Sequence, residues 1–195
     1  MINCLASVKL TALLICFQFV LLIHGWKGAS VNSELLFSCS FSRDSCRMFN
    51  RPDSRALWRR EYLSIGGRNG PAMVVRGNDA NNNFARLQTP NLSTNDAKTG
   101  CVRFQYFIKG RKPASLSVIK QGFVTKYIFA NGHKTEDHWE TAEVEVEFLG
   151  DKVMFYFEAD TKVQEYGDSL VAFTDLTIST HIPVNKNEIL NKLIY

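Results

Sequence analysis

Cys101-Val102-Arg103-Phe104-Gln105-Tyr106-Phe107-Ile108-Lys109-Gly110 and, further on, Glu143-Val144-Glu145-Val146-Glu147-Phe148 decide the fold. In the first, Val102, Phe104, Tyr106 and Ile108 share one face, with Arg103, Gln105 and Phe107 on the other. In the second, Val144, Val146 and Phe148 alternate with three glutamates. Successive side chains of a strand point to opposite faces, so a period of two marks a strand with one face in a core and one in water. Leu116 and Val118 alternate with Ser115, Ser117 and Ile119 in the same way. Gly150-Asp151 then predicts a tight turn that joins the glutamate strand to Val153-Met154-Phe155-Tyr156-Phe157 as an antiparallel hairpin. Leu170 to Ile178 closes the series.

Upstream the same pattern continues in shorter pieces. Leu35-Leu36-Phe37 and Phe41 flank a cysteine pair, and Trp58–Leu63 is a candidate strand. Gly66-Gly67-Arg68-Asn69-Gly70-Pro71 reads as a turn before apolar Ala72–Val75. Polar loops are expected at Gly77–Asn83 and Pro90–Gly100. Between them Phe84, Arg86 and Gln88 are set against Ala85 and Leu87. Short strands, polar turns and no intervening helical pattern predict an all-β, antiparallel sandwich.

The ends differ from the middle. Lys9 precedes fourteen residues, Leu10 to Ile23, interrupted only by Thr11 and Gln18, and small residues follow between Gly25 and Ser30. This is the layout of a signal peptide over residues 1–30. The run falls short of the roughly 20 apolar residues that span a bilayer, so a secreted, extracellular product with no membrane span in the mature chain is expected. The globular domain is expected over residues 31–181. In the tail, 182–195, Ile189, Leu190, Leu193 and Ile194 have helical spacing and predict a short helix.

Loss of the leader leaves Cys39, Cys46 and Cys101. An odd number in an oxidising compartment leaves one thiol unpaired or joined to another chain. Charge is uneven: residues 31–112 hold 14 basic and 6 acidic groups, and residues 113–195 hold 7 and 13. Arg43, Arg47, Arg51, Arg55 and Arg59 recur every fourth residue, with Arg60 beside the last, but Pro52 forbids one helical stripe. This density makes the six arginines a candidate surface for an acidic protein or a sulfated glycosaminoglycan, because guanidinium meets anionic oxygens in a two-pronged fashion. So modest a net charge on a secreted chain argues against nucleic acid.

Little points to catalysis. No Gly-x-Ser-x-Gly elbow occurs. The glutamates from Glu143 to Glu147 are spaced for a wet strand face, and His133 and His138 fall in a polar turn without ligand spacing. No enzyme activity, cofactor or metal site is expected. Asn91-Leu92-Ser93 is a glycosylation sequon in a polar loop. Trp58 and Trp139 are read as core residues, although an exposed indole would suit a sugar ring.

Taken in order, Cys39 to Cys46 around Phe41, Trp58, Gly70-Pro71, Ala85-Arg86-Leu87-Gln88-Thr89-Pro90, the Cys101 strand, Phe155–Ala159 and Leu170–Ile178 resemble one family closely. It is the MAM domain, the adhesive β-sandwich module of meprins, neuropilins and receptor-type tyrosine phosphatases. The resemblance implies a concanavalin-like jelly roll and a Cys39–Cys46 bridge. It also implies non-enzymatic recognition of a cell-surface or extracellular-matrix protein, homophilic pairing included. Alternatives are a lectin-like or sulfated-glycan-binding module, and an accessory subunit or inhibitor of an extracellular enzyme. Ser42, Ala72–Val75 and Thr174-Asp175 stand where the family carries acidic residues, so the ion site of some members is not expected. The family's fourth cysteine is absent from Ser179–Pro183, which leaves Cys101 as a free thiol or an intermolecular link.

Overall fold

The alternating strands assemble into two facing sheets in a computed structural model that describes residues 31–80, 83–110, 114–135, 137–161 and 169–183. The expected leader over residues 1–30 and the helical spacing at Ile189–Ile194 lie outside the described residues. Asn32–Ile182 forms one unit. The first sheet is built from β1 (Val31–Cys39), β3 (Arg59–Ile65), β4 (Arg68–Arg76), β7 (Thr99–Lys109), β10 (Glu140–Glu147) and β12 (Leu170–Pro183). Its order is β10-β7-β12-β4-β3, with β1 also paired to β12. The second holds β2 (Phe49–Asn50), β5 (Phe84–Gln88), β6 (Leu92–Ser93), β8 (Ala114–Gln121), β9 (Lys126–Asn131) and β11 (Lys152–Thr161). Its order is β2-β5-β11-β8-β9, with β6 also on β11. Every named strand pairing given for these sheets is antiparallel. One helical turn, α1 (Gly77–Ala80), follows β4.

The antiparallel sandwich predicted from alternation is therefore present, with two local corrections. The expected hairpin across Gly150-Asp151 does not form: β10 pairs with β7 in the first sheet, while β11 lies between β5 and β8 in the second. The connection crosses the sandwich, because β10 is an edge strand with a wet glutamate face and β11 is central. The turn at Gly66–Pro71 is confined to Gly66-Gly67, both at positive φ, and Arg68 to Pro71 already belong to β4. Pro71 is tolerated because β4 pairs with β12 only from Met73 onward. Its carbonyl faces β12 and accepts from Thr174 Oγ1 at 3.0 Å. The missing N–H thus points to a stretch of β12 that does not pair with β4.

The core follows from the alternation. Val102, Phe104, Tyr106 and Ile108 of β7 meet Leu116 and Val118 of β8 and Phe155 and Phe157 of β11. Phe173 of β12 stacks on Phe157 across the sheets at 4.3 Å, and the edges of Trp58 and Phe41 meet it at 5.0 and 5.3 Å. Each fully buried ring of this kind contributes about 1.5–3 kcal/mol. The Trp58 indole N–H also donates to the carbonyls of Ala85 (3.2 Å) and Phe157 (3.0 Å), joining two strands. A second apolar layer covers the outer face of the first sheet, where Leu63, Val74, Phe107 and Leu170 pack with Trp139. Phe107 is thus buried, although it alternates with the inward residues of β7.

Gly100 sits where no side chain fits: an added Cβ would lie 2.2 Å from the Ser179 carbonyl and 2.5 Å from the Phe148 ring. Gly100→Ala is expected to destabilise by about 1–3 kcal/mol, and Phe173→Ala by about 3–5 kcal/mol. Thermal unfolding should show both, at about 2–4 °C per kcal/mol for a chain of this size.

Candidate binding face

The outer face of the second sheet is built by the residues that alternate with its core positions. Ala85 and Leu87 of β5 and Phe155, Phe157 and Ala159 of β11 point inward, so Phe84, Arg86 and Gln88, and Met154, Tyr156, Glu158 and Asp160, point outward. Strand register lines them up. Phe49 opposes Gln88, Gln88 opposes Tyr156, Tyr156 opposes Ile119, and Ile119 opposes Tyr127. One row of side chains therefore crosses all five strands from β2 to β9. Its ends are exposed rings, Phe49 at 46% and Tyr127 at 61%, while Tyr156 at the centre is only 8% exposed. A register shift beside Val118 lets Ile128 and Phe129 both pack toward the core while Tyr127 turns out.

The next row is polar: Arg86 opposes Glu158, and Glu158 opposes Ser117. Arg86 donates to Glu158 through Nε at 2.8 Å and through a second nitrogen, and lies 3.8 Å from Asp53. Its guanidinium also sits 5.2 Å from the Phe84 ring centre and 5.5 Å from that of Tyr156. Arg51 donates to Asp53 at 3.2 Å and to Gln88 at 3.3 Å. That bond holds the Asp53 carboxyl below the usual carboxylate range. The Tyr156 hydroxyl bonds Gln121. The face thus carries a row with exposed rings at its two ends and the buried Gln88, Tyr156 and Ile119 between them, beside donors and acceptors already paired with one another.

Two other features are polar and self-satisfied. A cleft of about 320 Å³ opens between the edge strands β9 and β10, lined by Lys120, Lys126, Ile128, Glu145 and Glu147 among others. Lys120 continues the inward alternation of β8. Its ammonium donates to the Glu147 carbonyl, and burial lowers its pKa. Nearby, the Tyr106 hydroxyl bonds Glu140 and accepts from Asn131 at 2.8 Å. Burial, and then the Glu140 carboxylate, push its pKa up to about 12.

The six arginines do not form one surface with one task. Arg60 donates to the carbonyls of Phe41 and Ser42, both at 2.8 Å, and so anchors the Cys39–Cys46 loop to β3. Arg51 belongs to the face just described. Arg43, Arg47, Arg55 and Arg59 are exposed, and no ion pair involves them among the described residues. Cys39 and Cys46 are bridged, a closure worth about 2.5 kcal/mol in the chain-entropy picture. Trp58 is core, and Trp139 is held by its N–H to the Ile65 carbonyl at 2.9 Å. Asn91 is exposed beside β6. The His133 backbone N–H closes a turn onto Asn131. Among the described residues no group of three His, Cys, Asp or Glu could hold a metal, and no helix is long and apolar enough to cross a membrane. Phe49, Tyr127, Tyr156 and Glu158 were not foreseen as a site. The outward alternation of Phe84, Arg86 and Gln88 was the available signal.

This architecture, two antiparallel sheets packed face to face with exposed rings at both ends of one outer row, defines a β-sandwich domain. The chain belongs to the MAM domain family (meprin/A5/mu), whose profile matches residues 39–182. No curated protein matches it by sequence. Among solved structures, the CBM22-1 xylan-binding domain from Paenibacillus barcinonensis Xyn10C shares the fold at 15% identity and a TM-score of 0.54, over 79% of this chain and 99% of that one. TmCBM61, solved with β-1,4-galactotriose, aligns at 9% identity and a TM-score of 0.48, over 68% and 87%.

Cys101 is a free, half-buried thiol on β7, opposite Glu145 and Ser179. Burial, and then the charge of Glu143, raise its pKa, which lowers the thiolate fraction at neutral pH. Alkylation of the native protein at pH 8 should be slower than that of free glutathione and should accelerate as the pH rises past 9, as followed by intact mass. Alkylation as fast as glutathione's would mean that the thiol is neither buried nor suppressed.

Proposed function

We propose that this chain is an exported, non-catalytic recognition module that engages a cell-surface or extracellular-matrix component through the outer face of the second sheet. The observation that carries this reading is the cross-strand row with exposed rings at both ends. Large rings held on a rigid sheet lose little freedom on binding, so they serve as anchors. Adhesion is the role that family membership favours, and the leader-like first thirty residues, the Cys39–Cys46 bridge and the exposed sequon at Asn91 favour export. The fold shared with a xylan-binding domain favours a recognition role over chemistry.

Full-length chain expressed in secreting cells should appear in the medium without residues 1–30. Its mass should fall after glycosidase treatment. The secreted protein should bind intact cells or matrix, and Phe49→Ala with Tyr127→Ala should cut that binding at least tenfold, with the melting temperature unchanged. Retention inside the cell, or binding indifferent to the double substitution, would remove the proposal.

A second reading rests on the four exposed arginines. If they form an anion-binding surface, replacing Arg43, Arg47, Arg55 and Arg59 by Gln should bring elution from a heparin column to a lower salt concentration. An unchanged elution position removes that reading.

A further inference from the structure

Resting on that reading, we infer that the outer face of the second sheet takes an uncharged, linear oligosaccharide lying across the strands. Shape is the first argument. Phe49, Gln88, Tyr156, Ile119 and Tyr127 occupy one cross-strand row, and at about 4.8 Å per strand the row is about 19 Å long. Three cavities lie off this row, at the β9–β10 edge, between the β8–β9 turn at Phe123 and the β10–β11 connection at Leu149, and beside His133. Exposed rings about 19 Å apart on one sheet suit a chain of sugar rings, whose C–H faces lie against aromatic faces.

Hydrogen-bonding chemistry is the second argument. A sugar hydroxyl both donates and accepts, as a serine hydroxyl does, and neighbouring hydroxyls on a ring need a donor and an acceptor side by side. Arg86 and Glu158 supply such a pair, in register with Ser117 on the next strand. Gln88 within the row, held by Arg51, and Gln121 beside it, held by Tyr156, have their carboxamides fixed in place. The guanidinium of Arg86 lies between the Phe84 and Tyr156 rings, so little order is left to be imposed on binding.

Charge is the third argument, and it separates neutral from acidic glycans. Both arginines of the face are committed: Arg51 to Asp53, and Arg86 to Glu158 and Asp53. Asp160 lies on the same face with no ion pair among the described residues to offset it. A sulfated or uronic chain would have to break these pairs and meet the uncompensated Asp160 carboxylate. A neutral chain leaves them intact. In this assignment Phe49 and Tyr127 stack on the two ends of the chain, and Arg86 and Glu158 bond its middle.

The test is calorimetric titration of the full-length secreted chain with β-1,4-linked gluco-, xylo-, manno- and galacto-hexaose, and with a heparin hexasaccharide. At least one neutral hexaose should bind, more tightly than its trisaccharide, because only the longer chain reaches both rings. Its affinity should change less than about twofold on raising the salt from low to high, since no ion pair is formed. Phe49→Ala and Tyr127→Ala should each weaken it about tenfold, with unchanged circular dichroism and melting temperature to show that the fold persists. Salt-sensitive binding of heparin alone, untouched by Tyr127→Ala, would overturn the inference. If no hexaose binds while attachment to cells still depends on Phe49 and Tyr127, the inference fails and the recognition face stands. If attachment is also indifferent to them, both fail.

Discussion

Phe173 holds the two sheets together. It stacks on Phe157 of the opposite sheet and receives the edges of Trp58 and Phe41, while Phe104 packs against Phe157 and Phe129. Rings prefer offset-stacked and edge-to-face geometries, and this group uses both. The Trp58 indole adds direction to an otherwise directionless cluster, because its N–H must reach the carbonyls of Ala85 and Phe157. That constraint ties β5 and β11 to the loop before β3. It therefore fixes the sheet whose outer face carries the row from Phe49 to Tyr127.

The outer face of the second sheet is a by-product of the core. Every inward Phe or Leu on β5, β8 and β11 forces its neighbours outward, and strand pairing then sets them in rows. Because β11 lies between β5 and β8, Tyr156 and Glu158 fall at the centre of the strip. A face of this kind is rigid, since each row inherits the order of the core beneath it. The arginines on it are spent on neighbouring carboxylates and rings, so the chemistry it displays is mixed donor and acceptor rather than positive charge. By contrast Arg60, which looks in the sequence like part of a basic patch, closes the disulfide loop onto β3 by capping two carbonyls.

The two apolar layers explain why alternation can mislead. Phe107 sits on the same side of β7 as Arg103 and Gln105, yet it is buried under Trp139 beside Gly66. Gly66 supplies both the positive φ of the β3–β4 turn and the space for that ring. Arg68 then lies over Trp139 and pairs with Asp175 in the β12 bulge at 2.9 Å. An irregular stretch of β12, a proline in β4 and a buried outer-face aromatic are thus parts of one local solution.

The division between sequence and tertiary structure follows from range. Which way Val102, Phe104, Leu87 or Val146 points is a local matter, since the pleat repeats every two residues, and so the strands, the sandwich and the inward faces were legible. Trp58 as core and the wet face of Glu143, Glu145 and Glu147 were legible for the same reason. Which strand lies beside which depends on contacts between distant segments, and no local pattern carries it. That is why Val144–Phe148 and Val153–Phe157 looked like one hairpin but entered different sheets. It is also why Phe49, Tyr156 and Tyr127, far apart in the chain, became neighbours in one row only once the sheet had formed.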